Sequence, residues 1–251
     1  MTDNSERLKQ FLVIIATVGV IFFNYLATTG YVGGVTPDFI SNLYPTRITP
    51  AGFAFAIWSL IYLGLLAFSI YQALPSNAER YRHLRSVYIL NCAANCAWLY
   101  FWHHEMITVS LGVIFLMLGT LAYLNAHLRQ TESLAEFWLV KFPFGLYFGW
   151  ITAATILNAT ITLIYLKVPI PDSSAVIIGA ALLLTATAAG VIIRFTLNNP
   201  FYPLAIAWAL TAIAVKQSGQ TLIVASAAVG VIVSLIVAIS YVITINNRTN
   251  E

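Results

Sequence analysis

Charged side chains are scarce: Asp, Glu, Lys and Arg together make up 8% of the 251 residues, against roughly 25% in an average soluble domain. A water-soluble fold of this length cannot cover its surface with so few polar groups, least of all when 60% of the chain is apolar. Asp and Glu are nearly missing from the apolar stretches. That weakens an ion-coupled transporter with carboxylates at mid-membrane, while leaving ion binding by amides or broken helices open. The net charge of +3 comes from few groups with no basic cluster, which excludes a nucleic-acid partner. The two cysteines, Cys92 and Cys96, stand four apart in an apolar stretch and make neither a C-x-x-C nor a zinc spacing. They read as two small buried side chains on one helix face. No G-x-S-x-G, Walker loop, dinucleotide fingerprint or catalytic dyad occurs, so no catalytic residue is expected and the chain does not read as an enzyme. The compact ionisable cluster His103-His104-Glu105 reads as a surface turn. Haem or metal ligation and a proton-sensitive gate are its alternatives, but the sequence offers no credible metal set and no metal is expected.

Long apolar runs are abundant instead. A helix needs about 20 apolar residues to cross ~30 Å of hydrocarbon, and the runs 11–29, 51–74, 86–102, 107–126, 138–166, 174–193, 201–216 and 220–245 are the candidate spans. The seventh is short and follows NNPFYP, which makes it the least secure. A β-barrel would show alternating segments of ~10 residues, whereas the stretches from Ser173 and from Thr221 are continuously apolar. The expected fold is therefore an all-α polytopic membrane helical bundle. The first run lacks a small-x-small cleavage site followed by a polar segment and reads as a retained helix. With the N-terminus cytoplasmic, Arg7, Lys9, Arg80, Arg82, Arg85, Arg129, Lys141, Arg194 and Arg248 lie inside, and Arg47, Lys167 and Lys216 outside. Nine against three favours both termini in the cytoplasm and an even number of spans; the expected location is a bacterial plasma membrane.

Residues 1–167 carry the longer polar connections and nearly all the tryptophans; residues 168–251 are mostly Ala, Val, Ile, Leu and Thr. The break falls at LKVPIPDSS, where an Asp-Ser-Ser sequence signals a helix start. Three spans place aromatic and amide residues on one face: Phe55, Trp58, Ser59 and Tyr62 in the second; Asn91, Asn95, Trp98 and Trp102 in the third; Tyr147, Trp150, Ala154 and Asn158 in the fifth, continued by Thr162 and Tyr165. Amides cannot face lipid, so these faces point into the bundle. Helix–helix packing and interhelical hydrogen bonding would explain them; so would the wall of an apolar pocket with a few polar anchors. Gly145 and Gly149 make bending or close packing of the fifth span cheap, and Lys141 reads as an anchor that snorkels to the headgroups.

These residues resemble the tryptophan-rich sensory protein (TspO/MBR) family, whose animal members are the mitochondrial translocator, or peripheral benzodiazepine receptor, proteins. The likeness covers about residues 11–167. It rests on Pro50, Phe53, Phe55, Trp58, Ile61 and Tyr62 in the second helix, Asn95 and Trp98 in the third, and Trp150, Ala154, Leu157 and Asn158 in the fifth. The chain departs from the pattern at Thr49-Pro50 and Phe53, at Asn91 in place of a glutamine, and at Pro143-Phe144, three residues early. The usual member ends after five helices. The resemblance implies a five-helix core, 1–167, plus about three additional transmembrane helices in 168–251. It implies a receptor or sensor that holds a small hydrophobic ligand, such as a porphyrin or haem, within the membrane, with a transporter of a tetrapyrrole or similar lipid-soluble molecule as the alternative. No cofactor is required. Phe55, Trp58, Tyr62, Asn91, Asn95, Trp98, Tyr147, Trp150, Ala154 and Asn158 would line or shape the cavity, and the partners would be the ligand, membrane lipid and a second copy in a homodimer.

Overall fold

The computed structural model describes residues 4–249, with side chains through Tyr241; the side chain of Arg248, used in the charge count, lies outside the described residues. Among the described residues there are helices and turns but no strand. The helices are α1 (Asn4–Thr28), α2 (Pro37–Leu43), α3 (Ile57–Tyr71), α4 (Arg85–His103), α5 (Ile107–His127), α6 (Phe142–Tyr165), α7 (Asp172–Thr196), α8 (Phe201–Lys216) and α9 (Thr221–Thr249). Shorter turns precede three of them: 3₁₀ segments at Gly52–Ala56 and Arg82–Leu84, and a short α-turn running into a π-turn at Phe137–Lys141.

Among the described residues six helical segments are long and apolar enough to cross a membrane: Asn4–Thr28, Gly52–Tyr71, Ile107–His127, Leu134–Tyr165, Asp172–Thr196 and Thr221–Tyr241. Of the eight expected spans, the two that fall short do so for different reasons. The sequence of α4 carries Arg85, Asn91, Asn95 and His103, which dilute its apolar character. The sequence of α8 is apolar but only 16 residues long, about 24 Å at 1.5 Å per residue.

The helices gather into two compact units. One takes the chain up to Ile40 together with Ile57–Phe144; the other takes Ser41–Ala56 and the chain from Gly145 onward. In the first unit α1 packs on α3 and α4, and α4 on α5. At Gly64 a methyl group would lie 2.6 Å from Cβ of Pro143, so the first turn of α6 sits against bare backbone. The connection after α1 turns through Gly30, Gly33 and Gly34, all with positive φ. Gly33 is fixed twice over, since a methyl there would also meet the His103 carbonyl oxygen at 2.5 Å.

In the second unit α7, α8 and α9 pack on one another, and α8 also meets the 3₁₀ turn Gly52–Ala56. That turn is tied down by Ala51 N–H donating to the Ala212 carbonyl and by the Trp208 indole donating to the Ala54 carbonyl. Proline at position 50 suits this start, where a donor is not needed. Gly145 and Gly149 serve close packing. Methyl groups there would meet the Asn199 side chain and, at 2.5 Å, the Tyr202 carbonyl oxygen.

Candidate functional site

In the first unit α4 presents one buried face. Asn95 is 1% exposed, and its Oδ1 accepts from Nδ2 of Asn24 on α1 at 3.0 Å and, at 3.5 Å, from the hydroxyl of Tyr62 on α3. Two stacked aromatic pairs lie on α3 and α4. Trp58 and Tyr62 stack with centroids 5.1 Å apart and planes at 12°, and Trp98 and Trp102 stack at 5.7 Å and 25°. Both pairs are spaced i, i+4, which sets the rings one above the other on their helices. The Trp102 indole donates to the Pro37 carbonyl at 3.2 Å. The indole N–H of Trp98 is buried and has no hydrogen-bond partner among the described residues, a state that burial normally penalises.

Two neighbours on these helices do other work. Asn91 donates to Thr120 at 2.7 Å and to the Met117 carbonyl at 3.2 Å, an interhelical bond to α5 of the kind that joins membrane helices. Ser59 is exposed, so the expected stripe on the second span narrows to Trp58 and Tyr62. The residue after Trp58 lies about 100° further round a helix of 3.6 residues per turn. Asn24 was missed in the sequence, although an amide inside the first apolar run was a signal for it.

The second unit holds the other half of the predicted residues. Phe55 sits in the 3₁₀ turn, not on α3, and meets Trp150 edge-to-face at 6.0 Å and 81°. Tyr147, Trp150 and Asn158 are buried and Ala154 is half-buried. Thr162 donates to the Asn158 carbonyl at 2.8 Å, while Tyr165 is exposed and packs edge-on to Tyr44 at 5.8 Å. The structure thus joins Tyr62 on α3, with Trp58 stacked on it, to Asn95 on α4 in the first unit, with Asn91 turned toward α5, and brings Phe55 and Trp150 together in the second.

The polar connections of the first unit are organised by ion pairs. Arg85, 2% exposed, bonds Oε2 of Glu6 and Oε1 of Gln72, each at 2.9 Å. Arg80 bonds Glu136 at 2.9 Å and also pairs with Glu132. Tyr81 donates to Glu136 at 2.9 Å. Burial and this bond to a carboxylate push the Tyr81 phenol well above its ordinary value, so it stays a donor. The hydrogen bond from Arg80 holds the Glu132 carboxyl below the usual carboxylate range. Lys141 does not snorkel as expected: it is buried, and its Nζ donates to the Arg129 carbonyl at 2.7 Å. Of the histidine pair, His103 is buried with Nδ1 against the Leu99 carbonyl, and His104 is exposed. Cys92 is buried and Cys96 partly so. Among the described residues no group of three or more His, Cys, Asp or Glu is placed to hold a metal ion.

A chain whose described residues form six membrane-length apolar helices and no strand, with buried amides joined across helices, is a multi-pass integral membrane protein. The model of the family described as TSPO-like protein matches residues 10–241, and the chain belongs to that family. The match runs past residue 167 through α7 and α8 and into α9. No curated protein and no solved structure matches the chain.

Proposed function

We propose that the protein is a membrane receptor for a small hydrophobic ligand with a planar face, of porphyrin or haem type, taken up at the aromatic and amide cluster of the first unit. One observation carries this reading. The buried Trp98 N–H, without a hydrogen-bond partner, lies one helical turn from Asn95 on a ring that stacks on Trp102. Such a site offers planar apolar contact through Trp58, Tyr62 and Trp98, and a donor for one polar group of the ligand. The aromatic set of the second unit is not needed for this reading. We also read α4 and α8 as crossing the bilayer, giving a five-helix part followed by three more crossings, with both termini on the cytoplasmic side of a bacterial plasma membrane. The 19 residues of α4 span about 28 Å, and its amides are satisfied inside the protein.

The test is a titration of protoporphyrin into detergent-purified protein, with a non-planar hydrophobe as control and with Trp98→Phe and Trp98→Ala variants of unchanged far-UV circular dichroism. Saturable binding is expected. Trp98→Phe, which keeps a ring and loses the donor, should weaken it about threefold to tenfold, and Trp98→Ala should weaken it further. Equal binding by all three proteins, or equal binding of the non-planar control, overturns the reading.

A further inference from the structure

The second unit contains a cavity of about 510 Å³, within the roughly 300–1,000 Å³ typical of small-molecule sites. Its apolar wall is built by Leu163 and Ile164 near the end of α6 and by Ile178 and Leu182 on α7. Its rim is cationic. Arg47 and Lys216 both line it, and Lys167 immediately precedes the lining residue Val168. Those three are the same basic residues that the loop count assigns to one side of the membrane, so one end of this unit concentrates its positive charge around a single opening.

Two charges at this rim also have a local reason to be there. Lys216 closes α8 and Asp172 opens α7, the helix ends each sign prefers. What local preference does not explain is their meeting at an apolar cavity with the charges unbalanced. Arg47 pairs with Asp172 at 2.7 Å, and that carboxylate is 89% exposed. Lys216 is exposed and makes no ion pair among the described residues. Two cations therefore face one carboxylate. The rim is also held in shape. Gln217 donates to the Thr46 and Thr49 carbonyls at 3.2 and 3.0 Å, and Thr49 Oγ1 accepts from the Thr46 N–H at 2.8 Å.

We propose that this cavity binds an amphipathic anion, with its acidic head between Arg47 and Lys216 and its apolar tail along Leu163, Ile164, Ile178 and Leu182. Asp172 then competes with the ligand for Arg47, and the site has a signature that a purely structural ion pair lacks. Removing Arg47 or Lys216 weakens binding, whereas removing the Asp172 charge tightens it. This assignment stands apart from the porphyrin reading, because none of its residues belongs to the first unit.

The experiment uses the full chain in phosphatidylcholine nanodiscs, with the fluorescent fatty acid cis-parinarate as probe and its methyl ester as the uncharged control. Arg47→Gln and Lys216→Gln should each weaken parinarate binding about threefold to fivefold, and Asp172→Asn should tighten it by a similar factor. Ala175→Phe, which fills the cavity from α7, should abolish it, and the ester should bind much more weakly than the acid. Displacement of the probe by phosphatidylglycerol placed in the nanodisc would assign the natural ligand to bilayer lipid; no displacement would assign it to a free amphiphile. Ester and acid binding alike overturns the proposal. So does full binding to Ala175→Phe, or an Asp172→Asn variant that loses affinity together with Arg47→Gln.

Discussion

At Gly149 the absence of one methyl group decides how closely α6 approaches the start of α8. The nearest atom to a Cβ at this position would be the Tyr202 carbonyl oxygen at 2.5 Å, which is backbone and cannot rotate away. Gly149→Ala should therefore cost about 1–3 kcal/mol, read as a lower thermal midpoint in detergent. Gly19→Ala, where a methyl meets nothing within 4 Å, should leave the midpoint unchanged or raise it slightly. A fall at both sites of equal size would mean that backbone freedom and not contact sets the value. The sequence offered close packing at Gly149 without naming its partner, since Tyr202 lies outside the same helix. Lys141 illustrates the opposite failure. A lysine near a helix end reads as a headgroup anchor, but its acceptor is the Arg129 carbonyl, and no pattern of residue types announces a backbone oxygen.

The connections between helices are elements in their own right where buried acids meet arginines. Glu136 is 5% exposed and is held by Arg80 and Tyr81, while Glu132 is held by the same arginine. Arg80→Ala leaves the buried carboxylate with Tyr81 but without its cation and should cost about 1.5–3 kcal/mol, enough to lower the thermal midpoint by several degrees. The pH dependence has a definite sign. Because Glu132 titrates lower in the folded protein than in the unfolded chain, its contribution is full above the ordinary glutamate value of about 4.3. It is lost as pH falls through the lower native value. Thermal unfolding between pH 7 and pH 3 should show a flat midpoint down to about pH 5 and then a fall, shallower in Glu132→Gln. A fall equally steep in that variant would remove Glu132 from the cause. None of this network was legible in the sequence, because Arg80 and Glu136 are 56 residues apart and only the fold brings their loops together.

For the molecule as a whole, what the sequence shows depends on how continuous each apolar run is. The long runs became helices near the expected bounds because every backbone polar group in lipid must be bonded within its own segment. The aromatic and amide faces were legible as periodicities, and of their residues Tyr62 meets Asn95 and stacks on Trp58 in the first unit. Phe55 left its stripe because the second span opens as a 3₁₀ turn, a local choice that helical spacing does not reveal. The number of crossings rests on α4 and α8, and the two counts predict opposite sides for the same loops. If all eight helices cross from a cytoplasmic N-terminus, the α5–α6 connection is cytoplasmic and the α6–α7 connection external. If α4 and α8 do not cross, the two exchange. Gln130 is exposed in the first of these connections, and Ser173 is exposed in the first turn of α7, next to the second. In a background with Cys92 and Cys96 replaced by alanine, a membrane-impermeant maleimide should label Ser173→Cys in intact cells and Gln130→Cys only after lysis. The reverse pattern would reduce the crossings to six and make α4 and α8 packing helices that fill the bundle without spanning the bilayer.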